Sequence, residues 1–217
     1  MVGGLRSHLV DVAERLAATR GIGAMTLRDV QQESGQRNKS VVQYYFGSRE
    51  GLIAAVMDAR MGPINLRRNE LLAEIGPEPD LRDLVGAFVV PLGEVTVLAA
   101  TSYWGRFLLQ ASFDPAFRDL VRASLTASSF RSVRAALIRQ LTGVPRSAQT
   151  RRVDMMVEFV LVAIASAEEE RDGGRLGAAA ASRFVADLVD MCCGLLTAPP
   201  SWAVASKVRT GDDARRP

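Results

Sequence analysis

Residues 26–46, TLRDVQQESGQRNKSVVQYYF, constrain the fold of this chain more than any other stretch. Their apolar positions follow a helical period that Ser34-Gly35 interrupts, which two short helices around a tight turn satisfy. Thr26 is placed to cap the first helix, with Asp29 three residues on returning to the Thr26 N–H as in a capping box. Asn38 is placed to cap the second, over residues 39–45. That second helix is basic where it begins and aromatic where it ends, a pattern that suits insertion into the major groove of DNA and recurs nowhere else in the chain.

The flanking sequence reads the same way. In residues 5–19, Leu9, Val12, Ala13 and Leu16 share one face while Asp11, Glu14 and Arg15 lie opposite. Gly21 is placed to end that helix, with Ile22 folding back onto its last turn. Ser48 caps a helix over 49–60, and Gly62-Pro63 reads as a break and a domain boundary. Further helices follow at about 64–75, from 81 to a kink or end at Pro91, and at 102–112. Asp114-Pro115 opens one that runs to about 141, and two long ones cover 147–170 and 176–196. β-Branched alternating runs bounded by hairpin turns are absent, so the chain reads as all-α. The expected division is a three-helix, helix-turn-helix DNA-binding domain at 1–48, a connecting helix at 49–62, and a larger helical ligand-binding and dimerisation domain at 63–197. A tail at 198–217, rich in Pro, Ser and charge, is expected to be disordered.

Bulk properties narrow the function. Hydrophobic residues make up 48% of the 217, enough for a sizeable core. A net charge of +3 is too small to indicate nucleic-acid binding, so any basic surface must be local. One histidine, His8, and the adjacent Cys192 and Cys193 exclude most nitrogen–sulfur metal sites and a disulfide framework, so no metal or cofactor is expected. Charges and prolines interrupt each apolar run before the roughly 20 residues a membrane span needs. A cytoplasmic protein without membrane contact is the expectation. No Gly-rich phosphate loop, Ser–His–acid set or poised carboxylate pair is visible, so an enzyme is not expected.

The candidate DNA-facing residues are Thr26, Arg28, Arg37, Asn38, Lys39, Ser40, Val41, Gln43, Tyr44 and Arg49. Lys39, Ser40, Gln43 and Tyr44 share one helical face. Lys suits guanine and Gln suits adenine, while Val41 can meet a thymine methyl or simply pack. Arg28 and Arg49 flank the groove as phosphate clamps. Val42, Tyr45 and Phe46 turn the other way, toward Leu16, Leu27 and Val30.

The order of helix, Gly turn, Thr-capped helix, Gly turn and short aromatic-ended helix, closed by Tyr44-Tyr45-Phe46-Gly47-Ser48-Arg49-Glu50-Gly51-Leu52, resembles the DNA-binding domain of TetR-family transcriptional regulators. The resemblance covers about residues 5–60. It implies that 39–46 is the recognition helix, that Gln43 and Tyr44 touch DNA, and that Arg49 stands at the family's phosphate-binding lysine. Three positions depart from the family pattern. Tyr45 replaces a common His, Gln43 replaces a phosphate-binding Tyr, and the turn at 35–38 is one residue longer. The resemblance further implies a homodimer on a double-stranded operator, and a C-terminal domain that takes a small molecule.

Residues 61–217 carry no specific motif. Phe88, Tyr103, Trp104, Phe107, Leu108, Phe113, Met155, Met156 and Phe159 are the large apolar side chains available to surround a ligand, and few charges accompany them. A small apolar effector is therefore expected, with one polar group met by Arg106, Gln110 or Glu158. Val160, Ala163, Ala167, Phe184, Val185, Leu188 and Cys192, on the last two helices, are the expected dimer seam. Cys192-Cys193 reads as a pair of inert thiols and Glu168-Glu169-Glu170 as a solvated helix end. The function that follows is a repressor released from its operator by a small apolar ligand. A ligand-independent or activating regulator is the alternative, and a helical enzyme is a remote one.

Overall fold

The computed structural model of the chain describes residues 2–124 and 128–199, and every regular element among them is an α-helix. Residues 200–217, most of the expected tail, lie outside the described residues.

Helix α1 (Val2–Arg20) buries Leu9, Val12, Ala13 and Leu16 along one face. It stops at Gly21, whose φ of 96° is open to glycine and whose N–H donates to the Ala17 carbonyl at 3.0 Å. Helix α2 (Leu27–Glu33) starts on the expected capping box. The Thr26 hydroxyl accepts from the Asp29 N–H at 3.2 Å, and the Asp29 carboxylate accepts from the Thr26 N–H at 2.9 Å. Helix α3 (Val41–Phe46) is shorter than the sequence suggested. The Asn38 side chain accepts from the Ser40 N–H at 2.9 Å, two residues on, and so closes an Asx turn instead of capping the helix. Lys39 and Ser40 therefore precede α3.

Helix α4 (Arg49–Ile75) begins at Ser48, whose hydroxyl accepts from the Gly51 N–H at 3.1 Å. A Cβ on Gly51 would lie 2.1 Å from the Phe46 carbonyl oxygen, so only glycine lets α3 turn this tightly into α4. The break expected at Gly62-Pro63 is absent, because α4 continues through Pro63 to Ile75. Proline leaves the carbonyl four residues back without a donor. That residue is Ala59, and both Ala59 and Pro63 are exposed, where water can take the missing bond. One helix thus carries the chain from the N-terminal three-helix unit into the rest of the molecule.

Helix α5 (Leu81–Val95) starts on an Asp80–Asp83 capping box and also runs past its proline, Pro91. Helix α6 (Trp104–Phe113) follows. The single helix expected from Asp114 to about 141 is two, α7 (Arg118–Ser124) and α8 (Ser128–Gln140). Pro115 sits in a turn closed by the Asp114 carbonyl, which accepts from Phe117 N–H at 3.1 Å and Arg118 N–H at 2.9 Å. Helices α9 (Arg146–Asp172) and α10 (Ala178–Thr197) complete the body. Helix α5 packs between α4, α8 and α10, while α6 lies against α1 and α9. The buried apolar side chains form one continuous cluster from Leu9 to Leu196.

Three charged side chains are buried among the described residues: Glu14, Arg68 and Glu168. Glu14 accepts from Arg60 Nε at 2.6 Å, tying α1 to α4. Glu168, read from the sequence as part of a solvated helix end, is fully buried instead. Its carboxylate accepts from the backbone N–H groups of Gly105 and Arg106, both at 3.1 Å, and from Arg106 Nε at 3.0 Å. Tyr103 offers α6 no side-chain cap, so a carboxylate from α9 satisfies the free N–H groups there.

Candidate nucleic-acid interface

The apolar side of α3 anchors it. Val42 and Phe46 are buried with Val30 of α2, and Val41 is only 7% exposed, so it packs rather than faces outward. The opposite side is free. Thr26, Arg28, Arg37, Asn38, Lys39, Ser40 and Gln43 are exposed, and Tyr44 presents 82% of its surface to solvent. A large aromatic at that exposure stabilises no core.

Between α2 and α3 lies a shallow groove of about 450 Å³ lined by Leu27, Arg28, Gln31, Gln32, Lys39, Val42 and Gln43. It holds two cations and no acid. Glu33, the nearest acid on α2, is occupied by Arg15 at 3.1 Å and Arg20 at 3.0 Å. Those hydrogen bonds hold its carboxyl below the usual range. Asp29 is held below its ordinary value by the Thr26 hydroxyl and N–H. Both acids therefore stay ionised and locally bonded, and neither Arg28 nor Lys39 forms an ion pair among the described residues. Gln31 and Gln32 are groove residues that the sequence reading passed over; their place one turn after Arg28 on the same helix is the signal.

Arg49 departs from its expected role. Its guanidinium donates to the Ile22 carbonyl and its central carbon lies 4.9 Å from the centre of the Phe117 ring. The side chain is turned into the body, away from the α2–α3 groove. Phe117 belongs to the turn between α6 and α7, a neighbour no sequence pattern announces.

Residues 9–56 match the sequence profile of the bacterial regulatory proteins of the tetR family. That span holds most of α1, all of α2 and α3, and the start of α4. The N-terminal helix-turn-helix unit is therefore of the tetR-family type. No curated protein sequence matches the chain. Among solved structures, Mycobacterium smegmatis AmtR is similar over 98% of this chain and 95% of its own, with a TM-score of 0.55 at 20% identity. A TetR-like transcriptional regulator from Rhodococcus sp. RHA1 is similar over 85% of this chain and 93% of its own, with a TM-score of 0.53 at 18% identity. At these identities the likeness is one of fold. A helix-turn-helix unit of the tetR-family type and an all-helical body with the fold of these regulators are thus present among the described residues.

In the body of the chain, the expected ligand-lining residues fall in several places. Phe88, Phe107, Leu108 and Met156 are buried in the core, and Phe159 is half-buried. Tyr103 and Trp104 line a cleft between α1, α4 and α6, where the buried Trp104 Nε1 has no hydrogen-bond partner. Phe113 lines a different cleft of about 500 Å³ between α6, α7, α8 and α9, with Val121, Phe130, Val157, Glu158 and Leu161. Met155 is 55% exposed on the outer side of α9, away from either cleft. Arg106 and Gln110 are committed elsewhere. Arg106 serves Glu168, while Gln110 accepts from the Ile22 N–H at 2.7 Å and donates to the Ala18 carbonyl at 3.2 Å.

The expected dimer seam is corrected by burial. Val160, Ala167, Val185, Leu188 and Cys192 are buried within the subunit, and no partner can reach them. Ala163 and Phe184 are half-buried. The apolar side chains that α9 and α10 present outward are Met155, Val162 and Met191, 55%, 47% and 46% exposed. The sequence showed apolar residues on two adjacent stripes of the last helix but not which stripe the subunit itself would cover. Burial raises the Cys192 thiol to about 12, so it stays protonated and inert. No described helix is long and apolar enough to cross a membrane.

Proposed function

We propose that this chain is a dimeric repressor of the TetR family that reads an operator through the outward face of α3 and the turn before it. The supporting observation is the division of that short helix. Val42 and Phe46 fix it to the three-helix core, while Lys39, Gln43 and Tyr44 stand free beside an acid-free groove. Lys39 and Arg28 meet phosphates or guanine, Gln43 reads a base edge, and Tyr44 stacks against the sugar–phosphate wall or a base edge. A second copy, docked through the outward face of α9 and α10, sets two such helices in successive major grooves.

A small molecule bound in the body releases the operator by favouring a spacing of the two reading helices that no longer fits. The coupling is that of a ligand with different affinities for two states, typically about 1–3 kcal/mol. The rigid passage of α4 from the reading unit into the body, and the Gln110 link from α6 to the end of α1, give such a change a mechanical route.

Selection of bound fragments from random duplex DNA tests the reading. A two-fold consensus with half-sites about one helical turn apart, or a multiple of it, is expected. Lys39→Ala/Tyr44→Ala should lose the enrichment while keeping its helical spectrum. Recovery of no consensus would refute sequence-specific binding. A reporter placed behind the selected site should fall in expression when the protein is supplied; a rise would replace repression by activation.

A further inference from the structure

Arg68 of α4 is 1% exposed, yet no carboxylate among the described residues lies beside it. Its Nη1 donates to the Asn65 side-chain oxygen at 2.9 Å and lies 3.4 Å from the Ser129 hydroxyl, both neutral groups. Its Nε is buried with no hydrogen-bond partner. The two other buried charges, Glu14 and Glu168, each have an arginine. A cation buried without counter-charge costs more than an apolar residue of the same size would. Its retention needs a reason outside the folded chain alone.

The surroundings supply one. The guanidinium lies over the Phe88 ring, 5.6 Å from its centre, and Phe88 meets Phe130 at 5.8 Å between centres. Phe130 is a wall of the α6–α9 cleft, and Ser129, beside Arg68, is its neighbour in sequence. The cation therefore sits one side chain behind the cleft wall. The cleft mouth carries Arg118, Arg122, Arg131 and Arg134 against Asp154 and Glu158, a surplus of positive charge that draws anions in. Arg118, Arg122 and Arg131 are exposed, so water screens them, and the half-buried Arg134 is bound to Asp154 at 2.8 Å; these arginines hold little by themselves.

We propose that the effector is an amphiphilic monocarboxylate whose apolar body lies against Phe130 in this cleft and whose carboxylate passes that ring to meet Arg68. The proposal rests on the reading of the body as a ligand-binding domain and names the ligand's chemistry. A single negative charge matches the single buried guanidinium, and Nε with Nη2 forms the two-pronged donor that a planar carboxylate takes. A phosphate monoester would bring an excess charge into an apolar layer.

Titration calorimetry on the full chain, with octanoate, 1-octanol and octyl phosphate as probes, tests this. Octanoate is expected to bind about ten- to a hundredfold more tightly than octanol, the difference a charge-assisted hydrogen bond makes, and more tightly than octyl phosphate. Arg68→Met should erase that preference while raising the melting temperature, because an uncompensated buried charge is removed. Arg68→Lys should keep part of the preference. Equal binding of octanol and octanoate, or an unchanged preference in Arg68→Met, would overturn the carboxylate assignment and leave the ligand-binding reading intact. A lowered melting temperature in Arg68→Met would overturn it too, by making Arg68 a structural residue. Tighter binding of octyl phosphate would replace carboxylate by phosphate. Binding of none of the three would count against both readings.

Discussion

Arg49 stacks on Phe117, its guanidinium carbon 4.9 Å from the ring centre, and so joins the first turn of α4 to the turn between α6 and α7. The same guanidinium donates to the Ile22 carbonyl, near the start of the α1–α2 connection. A residue expected on the DNA face is instead a bolt between the reading unit and the body.

Arg49→Ala should therefore leave the salt dependence of operator binding unchanged, because no phosphate contact is lost. It should lower stability by about 2 kcal/mol, the scale of a partly buried cation–π contact plus a hydrogen bond from a charged donor. Lys39→Ala should do the reverse. Lys39 is exposed and outside any ion pair among the described residues, so stability should hold while the log–log salt slope falls by about one unit. Fluorescence anisotropy across a salt series, with urea denaturation beside it, separates the two. A slope that falls in Arg49→Ala would return that side chain to the DNA.

What the sequence made legible follows from how local the determining contacts are. The Thr26–Asp29 box, the Gly21 stop and the Ser48 cap each involve residues within four positions, and each forms where it was read. Asn38 failed by two residues because an Asx turn and a helix cap use the same side-chain oxygen, and nothing local selects between them. Gly62-Pro63 failed because a proline is tolerated when the carbonyl it orphans faces water, a matter of tertiary exposure. On α3 the apolar and polar sides were readable from periodicity. Arg49 and Glu168 were not, since their partners lie 27 to 68 residues away in sequence: Ile22 and Phe117 for Arg49, Gly105 and Arg106 for Glu168.

Glu168 carries the next prediction. Its carboxylate serves the start of α6 from α9 and is the partner of Arg106. A Cβ on Gly105 would come within 2.9 Å of Ile164, so α6 and α9 approach too closely for water to replace the carboxylate. Glu168→Ala leaves two amides and the Arg106 Nε without an acceptor. A loss of about 3–5 kcal/mol is expected by chemical denaturation. A loss below about 1 kcal/mol would mean that water reaches the gap.

Glu14 sets a dependence on pH of unusual sign for a carboxylate. Burial raises its pKa, and the charge and hydrogen bond of Arg60 only partly offset that. Between the ordinary glutamate value and the raised one, the folded chain holds a proton that the unfolded chain releases. Its contribution to stability is therefore complete below the ordinary value and is lost as pH rises through the raised one. Wild type should gain stability relative to Glu14→Gln as pH is lowered from 7 toward 5. Asp29, whose pKa the Thr26 hydroxyl and N–H lower, should act oppositely. Its contribution holds above the ordinary aspartate value and is lost as pH falls through the lowered one. Urea titrations of wild type, Glu14→Gln and Asp29→Asn at a series of pH values read both slopes. A wild-type-minus-Glu14→Gln difference that shrinks on acidification would show Glu14 to be governed by Arg60 rather than by burial.

The outward face of α9 and α10 bears on assembly. Met155 and Val162 stand seven residues, two helical turns, apart on α9, and Met191 is exposed on α10. Helices packing in pairs across a two-fold axis bury such a stripe in a four-helix arrangement. Val162→Asp places a charge there that the free subunit tolerates, because the site is already 47% exposed. Inside an interface the same charge is stranded, at a cost of several kcal/mol, or more than a hundredfold in the dimer dissociation constant. Light scattering should then find wild type as a dimer and Val162→Asp as a monomer with unchanged helical content, and operator affinity should fall with the loss of the second half-site contact. A variant that remains dimeric at micromolar concentration would remove this face from the assembly.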